Sequence, residues 1–159
     1  MEVPGYAMIK SGVSMKILVI NGPNLNFLGI REKAVYGDQN YDYLVKSIED
    51  KAKEVNAEVE CFQSNHEGAI IDKLQEAYFD GTDAIIINPG AYTHYSYAIH
   101  DALKSLERIY KIEIHISDIN ARESFRANSV TAPACNEQIV GHGLKGYLEA
   151  IDHAICACN

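Results

Sequence analysis

The sequence predicts an α/β fold in which helices cover both faces of a five-stranded parallel sheet. Five short apolar runs alternate with longer amphipathic segments, which is the pattern of consecutive right-handed βαβ units. The run at 84–87 is apolar at every position, as expected for a strand that is buried on both faces. These observations favour a flavodoxin-like three-layer sandwich. The predicted strands are Lys16–Asn21, Glu58–Gln63, Ala84–Asn88, Lys111–Ile116 and Gln138–Val140.

Four segments between and after these strands carry the period of an amphipathic helix. In each, apolar side chains recur three or four positions apart and therefore share one helix face. The first predicted helix begins near Tyr41. The four apolar faces are Leu44, Ile48, Ala52 and Val55; Ile70, Ile71, Leu74, Ala77 and Tyr78; Ile99, Ala102, Leu103 and Leu106; and Leu144, Leu148, Ile151 and Ile155.

Length and composition predict one domain. The 159 residues are 47% hydrophobic and 23% charged, which is ordinary for a globular protein. We assign residues 15–159 to this domain. Residues 1–14 lack the apolar stretch of a secretory signal, so we interpret them as a disordered N-terminal extension or an added leader.

Charge and hydropathy exclude two classes of partner. A formal net charge of −8 argues against a nucleic-acid or membrane-surface binder, because both need a basic face. The sequence has no apolar run of the roughly 18–20 residues that a membrane-spanning helix needs. An acidic protein can still bind an anion where a few arginines are concentrated.

The cysteines indicate a reducing compartment, which we take to be the cytoplasm. Cys61, Cys135, Cys156 and Cys158 show neither a Cys-x-x-Cys spacing nor a disulfide framework. A metal or redox role for the terminal Cys-x-Cys pair remains the less favoured alternative.

Polar residues follow four of the predicted strands at the point where each strand ends. Ligands of open α/β sheets bind beyond the carboxyl ends of the strands, so these residues predict one site at a common edge. The polar stretches begin at Asn21, Gln63, Asn88 and His115.

A long connection from Asn24 to about Asn40 is typical of a lid or binding loop. It contains Arg31 and Tyr36. The pKa of tyrosine is about 10, too high for an efficient base at neutral pH, but a nearby guanidinium can lower it by about 1–3 units. The alternative is that Tyr36 packs the loop while Arg31 is solvated.

Two histidines are candidates for acid–base chemistry or ligand binding. Glu113 and His115 are two apart on a predicted strand and share a face, so the carboxylate could orient the imidazole as a general acid. His94 follows Asn88 and Gly90, and this glycine would let the backbone approach a ligand. Either histidine could instead be structural. No histidine spacing resembles a zinc site, so we predict no metal.

Arg122 and Arg126 are four residues apart and would share a face if their segment is helical. Beside Ser117 they could hold a carboxylate or hydroxyl groups, or they could be a surface pair. Asp101 lies about 200° round the third helix from the buried Ile99. It is therefore either solvated or directed at a neighbouring subunit.

Several long strings in this order resemble the type II dehydroquinase family. The similarity runs from Met15 to about Ile155, which makes the signal far more specific than a single short motif. The matching strings are Ile20–Asn26 (INGPNLN), Val35–Gly37 (VYG), Phe62–Gly68 (FQSNHEG), Ile87–His94 (INPGAYTH), Ala121–Arg126 (ARESFR) and Gly141–Tyr147 (GHGLKGY).

The resemblance implies a cofactor-free anti elimination of water from 3-dehydroquinate. Tyr36 as phenolate would remove the C2 proton, with Arg31 lowering its pKa. Asn24 would stabilise the enolate, and His115, with Glu113 behind it, would protonate the departing C1 hydroxyl. The remaining implied roles are ring-hydroxyl binding by Asn88, His94 and Arg126, carboxylate binding by the backbone at Ile116 and Ser117, and support of the closed lid by Arg122.

The resemblance also implies a homo-dodecamer, a tetramer of trimers in which Asp101 reaches a neighbour's site. None of the departures from the family pattern removes a catalytic position. Lys33 replaces a common lid proline, His100 a usual arginine and Asn120 a frequent histidine, while Tyr95 and Tyr97 replace smaller residues.

The competing hypothesis is a non-enzymatic flavodoxin-like module that binds a small molecule. Gly22-Pro23-Asn24-Leu25 suits an FMN phosphate poorly, and no Gly-x-Gly-x-x-Gly motif follows the first strand. A phospho-receiver would have an aspartate where Asn88 stands.

Overall fold

The computed structural model describes residues 14–30, 33–36 and 38–159, with residues 35 and 36 described by their backbone alone. Most of the predicted N-terminal extension, residues 1–13, and the predicted site residue Arg31 therefore lie outside the described residues. Ser14 is described, and its hydroxyl donates to Glu58 Oε1 at 3.2 Å.

The sheet consists of five parallel strands in the order β2-β1-β3-β4-β5, which confirms the predicted flavodoxin-like fold. The order reverses between β1 and β3, so the carboxyl ends of these two strands form the switch point where ligands of such sheets bind. β4 lies one residue earlier than predicted, and β5 begins one residue earlier. The strands are β1 (Lys16–Asn21), β2 (Glu58–Gln63), β3 (Ala84–Asn88), β4 (Tyr110–His115) and β5 (Glu137–Val140).

Helices lie on both faces of the sheet, as predicted. Two of their starts are fixed by side-chain caps: Asn40 accepts from the Tyr43 N–H, and Ser96 accepts from the Ile99 N–H. The helices are α1 (Lys33–Tyr36), α2 (Tyr41–Glu54), α3 (Glu67–Phe79), α4 (Tyr97–Lys104) and α5 (Lys145–Cys158).

The core is two apolar layers, one on each side of the sheet. Alternate residues of β1 point to opposite layers, so Ile17 packs with α2 and α5 while Leu18 packs with α3 and α4. β3 is buried along its whole length, as its uniformly apolar sequence predicts.

Three details of the predicted helix faces are wrong. Tyr78 is 53% exposed, because it lies in the last turn of α3 beyond the edge of the core. Leu106 is buried, but α4 ends at Lys104, before it. On α5 the buried face centres on Tyr147 and Ile151 rather than on Leu148, since small residues beside them let this helix pack closely on the sheet.

Every helix within the described ranges is too short or too polar to cross a lipid bilayer. All four cysteines are free thiols.

Candidate active site

A pocket lies at the carboxyl ends of β1, β3 and β4, next to the switch point. Its lining combines apolar residues, among them Leu25, Leu28 and Ile119, with polar and charged side chains. The structure thus brings together residues that the sequence places up to about a hundred positions apart. The predicted site residues that line the pocket are Asn24, Asn88, Gly90, His94, His115, Ile116, Ser117, Arg122 and Arg126.

Two glycines let the loops after β1 and β3 pack against each other. A Cβ on Gly22 would lie 2.5 Å from the Pro89 carbonyl oxygen, and one on Gly90 would lie 3.0 Å from that of Pro23. Gly90 also has φ +60°, a conformation that disfavours other residues. The close approach that Gly90 permits is thus to Pro23, although the same glycine lines the pocket.

Asn24 sits at the pocket in a left-handed conformation, with φ 68°. Its N–H donates to Asn65 Oδ1 at 3.0 Å. Gln63 Nε2 donates to the same oxygen at 3.1 Å and to the Gly22 carbonyl at 3.2 Å. Two residues from the end of β2 therefore hold the loop in which Asn24 lies. Their position after a strand placed them near the predicted site, but it did not identify them as site residues.

Behind Asn88 lies a buried chain of hydrogen bonds. Asn88 Nδ2 donates to the Tyr147 hydroxyl at 2.9 Å, and this hydroxyl donates to Asn21 Oδ1 at 2.6 Å. The Gly90 N–H donates to Asn88 Oδ1 at 3.1 Å. The role of Tyr147 was missed, because a tyrosine on the apolar face of a helix indicates only core packing.

His115 contacts Glu113, and both side chains are buried at the end of β4. Nε2 of the histidine lies 3.1 Å from Glu113 Oε2. Since a carboxylate accepts and does not donate, Nε2 carries a hydrogen. A proton that His115 delivers would therefore leave from Nδ1, the ring nitrogen that does not face Glu113.

Four further side chains donate to the Glu113 carboxylate. Gln138 Nε2 lies 2.7 Å and Ser129 Oγ 2.9 Å from Oε2, and Thr93 Oγ1 lies 3.1 Å from Oε1, which Thr131 also contacts. Sequence reasoning did not assign a role beside Glu113 to any of these four residues, since they come from separate segments that meet only in the fold.

The pKa of Glu113 reflects two opposed effects. Burial alone would raise it, but the hydrogen bond and charge of His115, together with the Thr131 and Ser129 hydroxyl groups, outweigh burial. The pKa therefore lies below its usual value of 4.5. Glu113 is thus an anion that can stabilise a positive charge on His115.

His94 is oriented by a main-chain carbonyl. Its Nδ1 lies 2.9 Å from the Asn128 oxygen, which can only accept, so Nδ1 carries the hydrogen. In the neutral ring Nε2 is then an acceptor, suited to a ligand hydroxyl. The edge of its ring meets Phe125, with the centroids 5.7 Å apart.

Arg122 and Arg126 line the pocket, but their segment is not one helix, so the condition under which they would share a helical face is not met. Arg122 has an extended backbone, with φ −107° and ψ −157°, and separates two short 3-10 turns. Arg126 lies in the second turn, where its Nε donates to Glu123 and its guanidinium lies 4.8 Å from the Phe125 ring centroid. The two arginines reach the pocket from different local structures.

Of the predicted residues, Glu113 contacts His115 without lining the pocket, and three others are not placed there by the described part of the chain. Asp101 is exposed on α4 and is not among the residues that line it. The backbone of Tyr36 ends α1, but its side chain lies outside the description, as does all of Arg31. Their roles stay predictions.

Known proteins are similar to this chain in sequence and in fold. Residues 15–155 match the family model described as dehydroquinase class II. A 3-dehydroquinate dehydratase of Lachnoclostridium phytofermentans is 68% identical over 91% of this chain and 99% of its own.

Two crystal structures described as type II dehydroquinases are also similar. That from Butyrivibrio crossotus is 70% identical, with a TM-score of 0.89 over 89% of this chain and 98% of its own. That from Propionibacterium acnes is 40% identical, with a TM-score of 0.85 over 90% of this chain and 99% of its own. The chain therefore belongs to the class II dehydroquinase family.

Proposed function

We propose that the protein is a 3-dehydroquinate dehydratase that removes water by anti elimination, giving 3-dehydroshikimate through an enolate. The observation that carries this proposal is the buried Glu113–His115 pair at a pocket with polar and arginine side chains. Membership of the dehydroquinase family supports the choice of substrate.

His115 is the general acid for the departing C1 hydroxyl. A neutral imidazole would be a weak acid, so the reaction needs the cation, and the anionic Glu113 stabilises it. The donors around Glu113 keep the carboxylate fixed, which also fixes the imidazole relative to the substrate.

Tyr36 is the base that removes the C2 proton, with Arg31 lowering its pKa. A fall of two units from about 10 corresponds to about 2.7 kcal/mol, which one close cation can supply in a site shielded from water. Asn24, held in its left-handed conformation by Asn65, stabilises the enolate.

The pocket lining supports binding of a carboxylated ring with several hydroxyl groups. Asn88, His94 and Arg126 bind the ring hydroxyls, and the backbone at Ile116 and Ser117 binds the carboxylate. The Ile116 carbonyl accepts from the N–H at position 143 at 3.0 Å, so this backbone is held in place. Arg122 supports the closed arrangement of the loop.

The proposed assembly is a homo-dodecamer, a tetramer of trimers, in the cytoplasm. Asp101 is exposed on α4, where it could reach a neighbouring site, and Tyr97 on the same helix is 70% exposed. Light scattering should then give a mass of twelve chains of 17.6 kDa each. A monomer at working concentration would reject this assembly.

The activity is tested by adding 3-dehydroquinate and following the ultraviolet absorbance of the enone product. We expect continuous turnover without added metal or cofactor. Folded protein that leaves the substrate unchanged would reject the proposed reaction. Because no Schiff-base lysine takes part, borohydride with substrate should leave the activity intact.

A further inference from the structure

A chain of three polar side chains lies beneath the pocket. Asn21 and Tyr147 are fully buried and Asn88 is 5% exposed. Tyr147 joins the two asparagines, which end the neighbouring strands β1 and β3. Asn88 also lines the pocket, so these hydrogen bonds connect helix α5 to the site.

The Gly90 N–H identifies the direction of these hydrogen bonds. This N–H can only donate, so the Asn88 atom that faces it at 3.1 Å must be the amide oxygen. The amide nitrogen of Asn88 then faces Tyr147, whose oxygen accepts. The Tyr147 hydrogen is left to donate to Asn21 Oδ1, at 2.6 Å.

This direction decides what Asn88 can offer to a ligand. Its oxygen is engaged by Gly90, and one of its two amide hydrogens is engaged by Tyr147. The second amide hydrogen remains, so Asn88 can act towards the pocket as a donor. A donor at this place selects a hydroxyl or carbonyl oxygen that accepts.

We propose that Tyr147 is a positioning residue that sets the Asn88 amide as a donor and thereby contributes to binding of the substrate's oxygen atoms. The identity of the substrate rests on the proposed function, whereas the hydrogen-bond geometry of Tyr147 and Asn88 does not depend on it. It differs from plain core packing, because a core residue would stabilise the fold without acting through Asn88.

The test is a double-mutant cycle with Tyr147→Phe and Asn88→Ala, measuring KM and kcat for 3-dehydroquinate. Alone, Tyr147→Phe should raise KM about tenfold, equivalent to about 1.4 kcal/mol, and change kcat less than about threefold. In the Asn88→Ala background, Tyr147→Phe should raise KM less than about twofold further, because the amide through which Tyr147 acts is already absent. Equal effects of Tyr147→Phe in both backgrounds, or an unchanged KM, would overturn the proposal.

The matched control is Tyr110→Phe. Tyr110 also donates through its hydroxyl, to Glu137 at 2.6 Å, but at the opposite end of β4 from the pocket. KM should stay within about twofold of wild type in this variant. A tenfold rise there too would assign the effect to general loss of stability and overturn the proposal.

Two further measurements keep the test decisive. If Tyr147→Phe does not fold, Asn21→Leu removes the acceptor of the Tyr147 hydroxyl and should raise KM in the same non-additive way. A crystal structure of the folded variant should show the Asn88 oxygen displaced from the Gly90 N–H; an unmoved Asn88 overturns the inference. The crystal structure can be compared without any turnover. An inactive wild type would therefore reject the proposed function and leave the positioning of Asn88 by Tyr147 still testable.

Discussion

His115 and the described part of the Asn24–Asn40 loop border the same pocket, but their side chains are held to different degrees. Around His115, the buried Glu113 accepts hydrogen bonds from five side chains, which lie in the turn after β3, on β4 and β5, and in the segment between these two strands. The loop has Leu25 and Leu28 buried, whereas Phe27 is 50% and Ile30 66% exposed.

The difference arises because one region contains a buried charge and the other does not. A buried carboxylate is costly unless its oxygens are satisfied, so the acid side needs many donors in fixed places. A segment with few buried apolar contacts opens at a lower free energy than the core. We therefore expect the acid side to stay fixed while the loop admits the substrate.

The largest effect is expected from Tyr36→Phe, which removes the proposed base from the loop. Activity should fall by about 10²–10⁴-fold, the range typical of a positioned acid or base. The free energy of unfolding should change by less than about 1 kcal/mol, because Lys33 and Ala34 beside it on α1 are exposed. The measurements are kcat by the ultraviolet assay and denaturant unfolding.

Tyr43→Phe is the control for this change, since Tyr43 is half exposed on α2. It should keep full activity. A fully active Tyr36→Phe variant would show that Tyr36 is not the base.

On the acid side, Glu113→Gln should lower kcat by about 10²-fold. The amide carries no charge to stabilise the histidine cation, and its NH₂ group faces donors where an acceptor is needed. Glu137→Gln is the matched control, because Glu137 contacts His153 at the protein surface, away from the pocket. A wild-type kcat for Glu113→Gln would show that the buried carboxylate is not needed.

The stabilising effect of the Glu113 charge should depend on pH in a defined direction. Its pKa is lowered in the folded state, so its contribution is complete above about pH 4.5, the usual value for glutamate. As the pH falls below 4.5 the unfolded chain binds the proton first, and the contribution is lost through the lower, folded pKa.

The measurement is the difference in unfolding free energy between wild type and Glu113→Gln, by urea denaturation at a series of pH values. At neutral pH the variant should be less stable by about 1–3 kcal/mol. This difference should shrink on acidification. A difference that stays constant across the acid range would contradict the lowered pKa.

The smallest effect is expected from Lys33→Pro, which introduces the residue that the family resemblance implies at this loop position. Lys33 is the first residue of α1, a position where proline is tolerated because its N–H has no partner within the helix. The variant should be more stable by about 0.4–1 kcal/mol, through a less flexible unfolded chain. KM should change by less than about threefold, measured with the same assay; a severe loss of activity would show that the loop needs lysine here.

The fold could be predicted because its signals are local. Apolar runs and helical period are properties of neighbouring residues, and β1, β2 and β3 have the predicted bounds. The errors arise where tertiary packing decides. Tyr78 shares the period of α3 but extends past the core, and Arg122 and Arg126 have the spacing of a helix in a segment that breaks into two turns.

The site could be predicted only where polar residues stand at strand ends. Asn88 and His115 end strands and line the pocket, whereas Leu25, Leu28 and Ile119 line it without having been predicted. The roles of the predicted residues stay predictions. Ser129, Thr131 and Gln138 were missed, since their relation to Glu113 exists only after distant segments have packed.

The hydrogen bond from Tyr147 to Asn21 also has a consequence for how the protein is made. Tyr147 follows Asn21 by 126 positions and Asn88 by 59, so β1 and β3 are synthesised before α5. Until that helix docks, Asn21 and Asn88 lack the phenol that joins them. A chain that has been synthesised only as far as β5 has the residues around the pocket but lacks the partner that orders Asn88, so the site should be completed only when α5 has been synthesised and has docked.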